Sequence, residues 1–285
     1  MRERHIRARD GLRLFFKDWG SADWPTTPAL CLAGLTRNSH DFDVLARRLS
    51  APDQPRPRRV IALDLRGRGR SAYDPDWRNY NASVYLDDIR HLLAALGIRK
   101  VVLIGISMGG LLGMALATAL PTALAGLVMN DIGPEIEGNG RSRIFGYIGV
   151  DRPEPDWTHA VRHLREMFPT LSLRTDEEWL SFARGTYREG DDGQLHFDWD
   201  VNLARPLQRG FDDKIDLWAL WRALRPLPTL AIRGGLSDIL SEATLARMKA
   251  EKPDLGHFTI ANVGHTPTLN EPPLREVLDD FLNRL

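Results

Sequence analysis

Val101-Val102-Leu103-Ile104-Gly105-Ile106-Ser107-Met108-Gly109-Gly110-Leu111-Leu112 is the stretch on which the fold turns. Its first six residues are apolar without alternation and rich in valine and isoleucine, which predicts a strand buried on both faces. Beyond Ser107 the residues are Met, Leu, Ala and Gly, with the single exception of Thr118, up to Pro121, so a helix is expected to begin at once and to stop near that proline. The one polar residue at the junction has Gly105 and Gly109 two positions to either side. A chain that passes from strand to helix within one residue needs small neighbours to bend. Such a turn pushes the serine hydroxyl out of the sheet and sets a helix N-terminus beside it, where unpaired N–H groups favour developing negative charge. Ser107 is therefore read as a nucleophile, in preference to a purely structural glycine turn.

The same alternation runs outward in both directions. Asp10-Gly11 sits between two stretches of strand character and predicts a β-hairpin. Strands are expected at 30–35, 60–65, 101–106 and 124–130, with helices at 40–49 and 83–96, the second closed by Gly97. After a break the pattern returns, with strands at 229–232 and 258–263 and helices at 241–252 and 273–285. Strand and helix in turn imply an α/β fold with a mostly parallel, doubly wound sheet. Between Gly133 and Leu224 the character changes to charged, aromatic-rich segments, DWTHAVRHLREMF, TDEEWLSFARGTYRE and KIDLWALWRAL, with no convincing buried strand. This region reads as a helical cap, 133–224, inserted in a core formed by 1–132 and 225–285. Its tryptophans, Trp157, Trp179, Trp199, Trp218 and Trp221, either roof an apolar pocket or pack the cap itself.

With these residues in place the chain resembles the α/β-hydrolase superfamily, and the resemblance covers nearly everything outside the inserted segment. Gly-Ile-Ser-Met-Gly-Gly and Asp64-Leu65-Arg66-Gly67-Arg68-Gly69-Arg70-Ser71 are similar to stretches of enol-lactonases, small carboxylesterases and cofactor-free haloperoxidase or perhydrolase relatives. The resemblance implies a chain order of serine, acid and histidine. His265, in Val263-Gly264-His265-Thr266-Pro267 after the last expected strand, takes the place of the general base. Asp238, in Gly234-Gly235-Leu236-Ser237-Asp238 just past the strand at 229–232, takes that of the acid, with Asp131 after the preceding strand as the competing candidate. The oxyanion hole is expected from the backbone N–H groups of Met108 and Leu35. Ala33 stands before Gly34 where many relatives carry histidine, so the bracing of that loop is an open question.

Serine, rather than aspartate, at the turn implies attack on a carbonyl and an acyl-enzyme, hence a small carboxylic ester or lactone as substrate. The alternatives are a carbon–carbon bond hydrolase acting on a ring-cleavage product and, in a different class, a small-molecule receptor with weak hydrolase activity. No cofactor is implied: the glycines at 105, 109, 110 and 113 do not make GxGxxG, and no Gly-Lys-Ser/Thr ends a phosphate loop. His159 and His163 lie four apart, yet the glutamate that a zinc-protease helix places directly after the first histidine is missing.

Composition narrows the rest. The 285 residues, 43% of them hydrophobic, suffice for one large domain with an insertion, and 38 basic against 38 acidic residues create no overall field toward nucleic acid or an anionic membrane. The expected partner is a small molecule, with oligomeric state undetermined. Cys31, the only cysteine, lies in an apolar run and reads as a buried hydrophobe. The opening MRERHIRARDG is too charged for a secretory signal, which predicts a cytoplasmic protein. Nothing from 101 to 130 is charged, but Pro121 and scattered glycines argue for a buried strand and helix rather than a membrane span.

Overall fold

The apolar runs become the middle of an eight-stranded sheet in the computed structural model, which describes residues 1–208 and 215–285. Strands β1 (Arg2–Arg7) and β2 (Arg13–Trp19) form the antiparallel hairpin turned by Asp10 and Gly11. Then follow β3 (Ala29–Leu32), helix α1 (Asp43–Leu49), β4 (Val60–Leu63), α2 (Ala82–Ala95), β5 (Val101–Ile106), α3 (Met108–Ala119) and β6 (Leu124–Asn130). Gly97 ends α2 in the left-handed region at φ 65°, as a helix-terminating glycine should.

The next segment leaves the sheet. It comprises α4 (Gly138–Ile148), α5 (Trp157–Met167), α6 (Asp176–Arg184), the strands β7 (Tyr187–Glu189) and β8 (Leu195–Phe197), α7 (Ala204–Gln208) and α8 (Leu217–Ala223). The chain returns through β9 (Thr229–Gly234), α9 (Glu242–Glu251), β10 (Gly256–Ile260) and α10 (Pro272–Asn283). Spatial order in the large sheet is β1-β2-β4-β3-β5-β6-β9-β10, with every pairing from β4 to β10 parallel.

β3, β4 and β5 are buried at every position, because helices cover both sheet faces and two apolar clusters, one per face, fill the space between. Cys31 lies in one of these clusters, where burial pushes its thiol far above the ordinary range. The uncharged stretch 101–130 is divided among β5, α3 and β6, and among the described residues no helix is long and apolar enough to cross a membrane.

The inserted segment corrects one expectation: it is not wholly helical. β7 and β8 pair as a hairpin around Asp191-Asp192-Gly193, with Gly193 at φ 77°. Tyr187, Phe197 and Trp199 stack successively, at centroid distances of 4.8 and 4.1 Å, and make that hairpin an aromatic core of its own. Trp179, Trp199 and Trp221 are buried packing residues. The first residue of the expected segment KIDLWALWRAL, Lys214, lies outside the described residues. His159 and His163, four apart on α5, are taken up separately, His159 by Asp156 and His163 by Glu154 and the Tyr187 hydroxyl.

Candidate active site

Parallel strands deliver their carboxyl ends to one edge of the sheet, and the loops that matter gather there. Ser107 follows β5 directly, at φ 50° and ψ −116°, a conformation that a side-chain-bearing residue rarely adopts. Its glycine neighbours are sterically required. A Cβ on Gly105 would stand 2.4 Å from the Gly109 carbonyl oxygen, and one on Gly109 would stand 2.0 Å from the Leu32 carbonyl oxygen. The amides of Gly110 and Leu111 donate to the Ser107 carbonyl and start α3 at once.

His265, in the loop after β10, reaches the serine: its Nε2 is 3.0 Å from Ser107 Oγ. Its other ring nitrogen, Nδ1, is 2.7 Å from Asp131 Oδ2. A carboxylate only accepts, so Nδ1 carries the proton and Nε2 is left to accept from the serine hydroxyl. The histidine side chain is nearly buried and the aspartate wholly so.

The acid beside the histidine is thus Asp131, not Asp238. Asp131 is the first residue past β6 and stands at φ 57°, where its backbone N–H donates to the Ile232 carbonyl. Besides the imidazole, its carboxylate accepts the Gly234 amide at 2.7 Å on Oδ1 and the Ser237 hydroxyl at 2.6 Å on Oδ2. Ser237 in turn accepts the amides of Ile239 and Leu240, which fixes where its proton points.

Asp238 is occupied by a fork of bonds from Arg143 on α4, Nε at 2.7 Å and Nη2 at 2.8 Å. Burial pushes the Asp238 carboxyl up, but Arg143, helped by the nearby His265, outweighs that and leaves it below its ordinary value. It borders the imidazole without bonding to it. The reason for the correction is local: the turn after β9 puts the short Ser237 against Asp131 and swings Asp238 outward to the inserted segment.

Leu35 and Met108 lie on the two loops that flank the serine. A Cβ on Gly34 would be 3.7 Å from Ser107 Cβ, which measures how closely the first loop approaches. Among the described residues neither the Leu35 nor the Met108 N–H has a hydrogen-bond acceptor. Three residues at the site escaped the sequence reading. Ser237 and Arg143 carry no motif that marks them, whereas Arg68 was visible in the Arg66 to Arg70 loop but had no assigned contact. A surface cavity of about 690 Å³ lined by Arg9, Asp10, Arg66 and Asp87 lies apart from all these residues.

Residues 20–279 match the model of the alpha/beta hydrolase family, and the chain belongs to that family. The family and the relatives that follow support a hydrolase activity. Among its relatives is a 3-hydroxybutyrate-oligomer hydrolase of Cupriavidus necator, 31% identical over 280 residues that cover 94% of this chain and 92% of that one. A 2-(acetamidomethylene)succinate hydrolase of Mesorhizobium japonicum is 27% identical over 81% of this chain and 79% of its own. A crystal structure of an alpha/beta hydrolase from Novosphingobium aromaticivorans superposes with a TM-score of 0.91 at 40% identity, covering 100% of this chain and 98% of that chain.

Proposed function

We propose that the protein is a serine esterase that cleaves small aliphatic carboxylic esters through an acyl-enzyme on Ser107. The observation that carries this reading is the continuous relay from Ser107 Oγ through His265 to Asp131, at 3.0 and 2.7 Å. Ser107 Oγ forms a bond to the ester carbonyl carbon while the carbonyl π pair moves onto oxygen, and the hydroxyl proton passes to His265 Nε2. The carbon–oxygen bond to the alcohol then breaks as the electron pair returns, and Nε2 hands its proton to the leaving alkoxide. Water repeats the sequence: its proton goes to Nε2, its oxygen to the acyl carbon, and the Ser107 oxygen departs with the proton from Nε2.

Asp131 holds the imidazole in the required tautomer and stabilises the imidazolium between the two transfers. The free N–H groups of Met108 and Leu35 receive the oxyanion, Met108 with the aid of the α3 N-terminus. The segment between β6 and β9 acts as a cap that bounds the substrate in size. The relative named for 3-hydroxybutyrate oligomers favours short esters of hydroxy acids as the substrate class.

The test is turnover of p-nitrophenyl butyrate and of a 3-hydroxybutyrate dimer by the wild-type protein and Ser107→Ala, with mass-spectrometric mapping of a fluorophosphonate adduct. Expected are turnover of both substrates, its loss in the variant by about 10⁶-fold as for other triad nucleophiles, and a single adduct on Ser107. Near wild-type turnover by the variant, or an adduct only elsewhere, contradicts the reading.

A further inference from the structure

Two buried arginines stand two positions apart in the loop after β4, and their surroundings differ in kind. Arg66 is matched by carboxylates: its guanidinium bonds Asp88 at 2.8 and 2.6 Å, Asp74 at 2.6 Å and Asp10 at 2.8 Å. Arg68 is fully buried, and among the described residues it has no carboxylate partner. Its donors go to neutral groups. Nε bonds the Leu35 carbonyl, Nη1 the Arg66 carbonyl at 2.7 Å, and Nη2 the Tyr85 hydroxyl at 3.2 Å, with the Met108 sulfur at 3.8 Å. The guanidinium carbon lies 5.0 Å from the centre of the Tyr85 ring. A buried cation without a counterion is costly for folding, so a position that keeps one invites a functional account.

Among the described residues, its guanidinium reaches two others outside its own loop and Tyr85, Leu35 and Met108, which lie on the two loops beside the nucleophile. Leu35 is held from both sides: the carbonyl before it, that of Gly34, accepts the Arg37 amide at 3.1 Å, and its own carbonyl accepts Arg68 Nε. The N–H between these anchored carbonyls is left free. Ala33 has no polar side chain to brace this loop, and the brace comes from the neighbouring loop instead. That loop is itself stitched by backbone bonds to the segment leading out of β8, with Gly69 N donating to Asp198 O at 2.9 Å and Asp200 N to Gly67 O at 2.8 Å.

We propose that Arg68 is the positioning residue of the oxyanion hole: it fixes the Leu35 peptide and the Met108 side chain about Ser107, and its uncompensated charge favours the oxyanion over the neutral carbonyl. The proposal rests on the acyl-enzyme reading of Ser107. A group that acts on the oxyanion alone affects the transition state and not ground-state binding.

The experiment compares wild type, Arg68→Met and Arg68→Lys by kcat and KM on p-nitrophenyl butyrate and by the Ki of an alkyl trifluoromethyl ketone. This ketone adds Ser107 Oγ reversibly and places an oxyanion in the hole. Arg68→Met is expected to lower kcat by about 10- to 100-fold, somewhat less than loss of a direct donor, with KM within about threefold and the ketone Ki raised in proportion. Arg68→Lys should recover part of both, since it keeps the charge but not the fork.

Unchanged kcat and Ki overturn the proposal. So does a fall in kcat with no rise in Ki, which marks a merely structural residue. If Arg68→Met does not fold, Arg68→Lys decides on the same two readouts, with parallel losses expected and unchanged values contradicting. A wild-type protein that neither turns over ester nor takes up fluorophosphonate defeats the esterase reading itself, a result separable from any effect of the variants.

Discussion

Two loops at the carboxyl ends of adjacent strands, one after β6 and one after β9, each offer an aspartate to the same histidine. The first turns sharply, with Asp131 at φ 57°, wholly buried and surrounded by donors. The second ends in a carboxylate about a third exposed and neutralised by Arg143 from the inserted segment. Proximity to the imidazole therefore does not choose between them. What chooses is which carboxylate has its remaining oxygen lone pairs engaged so as to point one of them at Nδ1. The β9 loop still contributes, because it lends Asp131 the Ser237 hydroxyl and the Gly234 amide. One loop carries the charge and the other holds it in place.

The most severe way to break this division is Asp131→Asn. An amide has a single acceptor oxygen: turned toward His265 and Ser237 it sets its NH2 against the Gly234 N–H, and turned toward Gly234 it donates to Nδ1 and imposes the wrong tautomer, so kcat on p-nitrophenyl butyrate should fall by about 10⁴, as in other triads. Ser237→Ala removes one of three donors to Asp131, and a loss of about tenfold in kcat with KM unchanged is expected if the hydroxyl orients the acid. Rates equal to wild type would show that the Gly234 amide suffices.

Asp238→Asn should leave kcat within about threefold. Its loss appears in stability, by about 1 kcal/mol for a partly exposed ion pair, read as the difference in unfolding free energy. A large kcat effect there would return the acid to the β9 loop.

A third carboxylate sharpens the contrast by being, among the described residues, neither in an ion pair nor bonded to the histidine. Asp198, leading out of β8, is pushed up to about 7 by burial and by the neighbouring Asp64. In the folded protein it holds its proton to higher pH than in the unfolded chain, so its contribution favours folding at low pH and is lost as pH rises from about 4 to about 7. Asp198→Asn should therefore melt above wild type at pH 8, with the gap closing toward pH 4. A gap independent of pH would contradict this assignment.

Sequence reading reached the middle of the sheet because its central strands are buried on both faces, so that apolar runs mark them. β5 and β6 lie where Val101 to Ile106 and Leu124 to Asn130 placed them. Ser107 and His265 were legible for a related reason: steric need confines glycine around one, and the end of the last strand locates the other. The β7–β8 hairpin was not legible, because three-residue strands in a charged stretch give too short an alternation to notice. Which aspartate meets His265 was not legible, for a deeper reason. Asp131 and Asp238 both follow strands, and what separates them is Arg143, on a helix whose approach no local pattern encodes, together with the direction of one serine hydroxyl.

That Asp131 is the partner of His265 is tested most directly by the Nδ1 proton of the histidine, which in a bond to a buried carboxylate resonates far downfield in the proton NMR spectrum. The resonance should be present in the wild-type protein and in Asp238→Asn, and absent in Asp131→Asn. Its loss in Asp238→Asn and survival in Asp131→Asn would contradict the account.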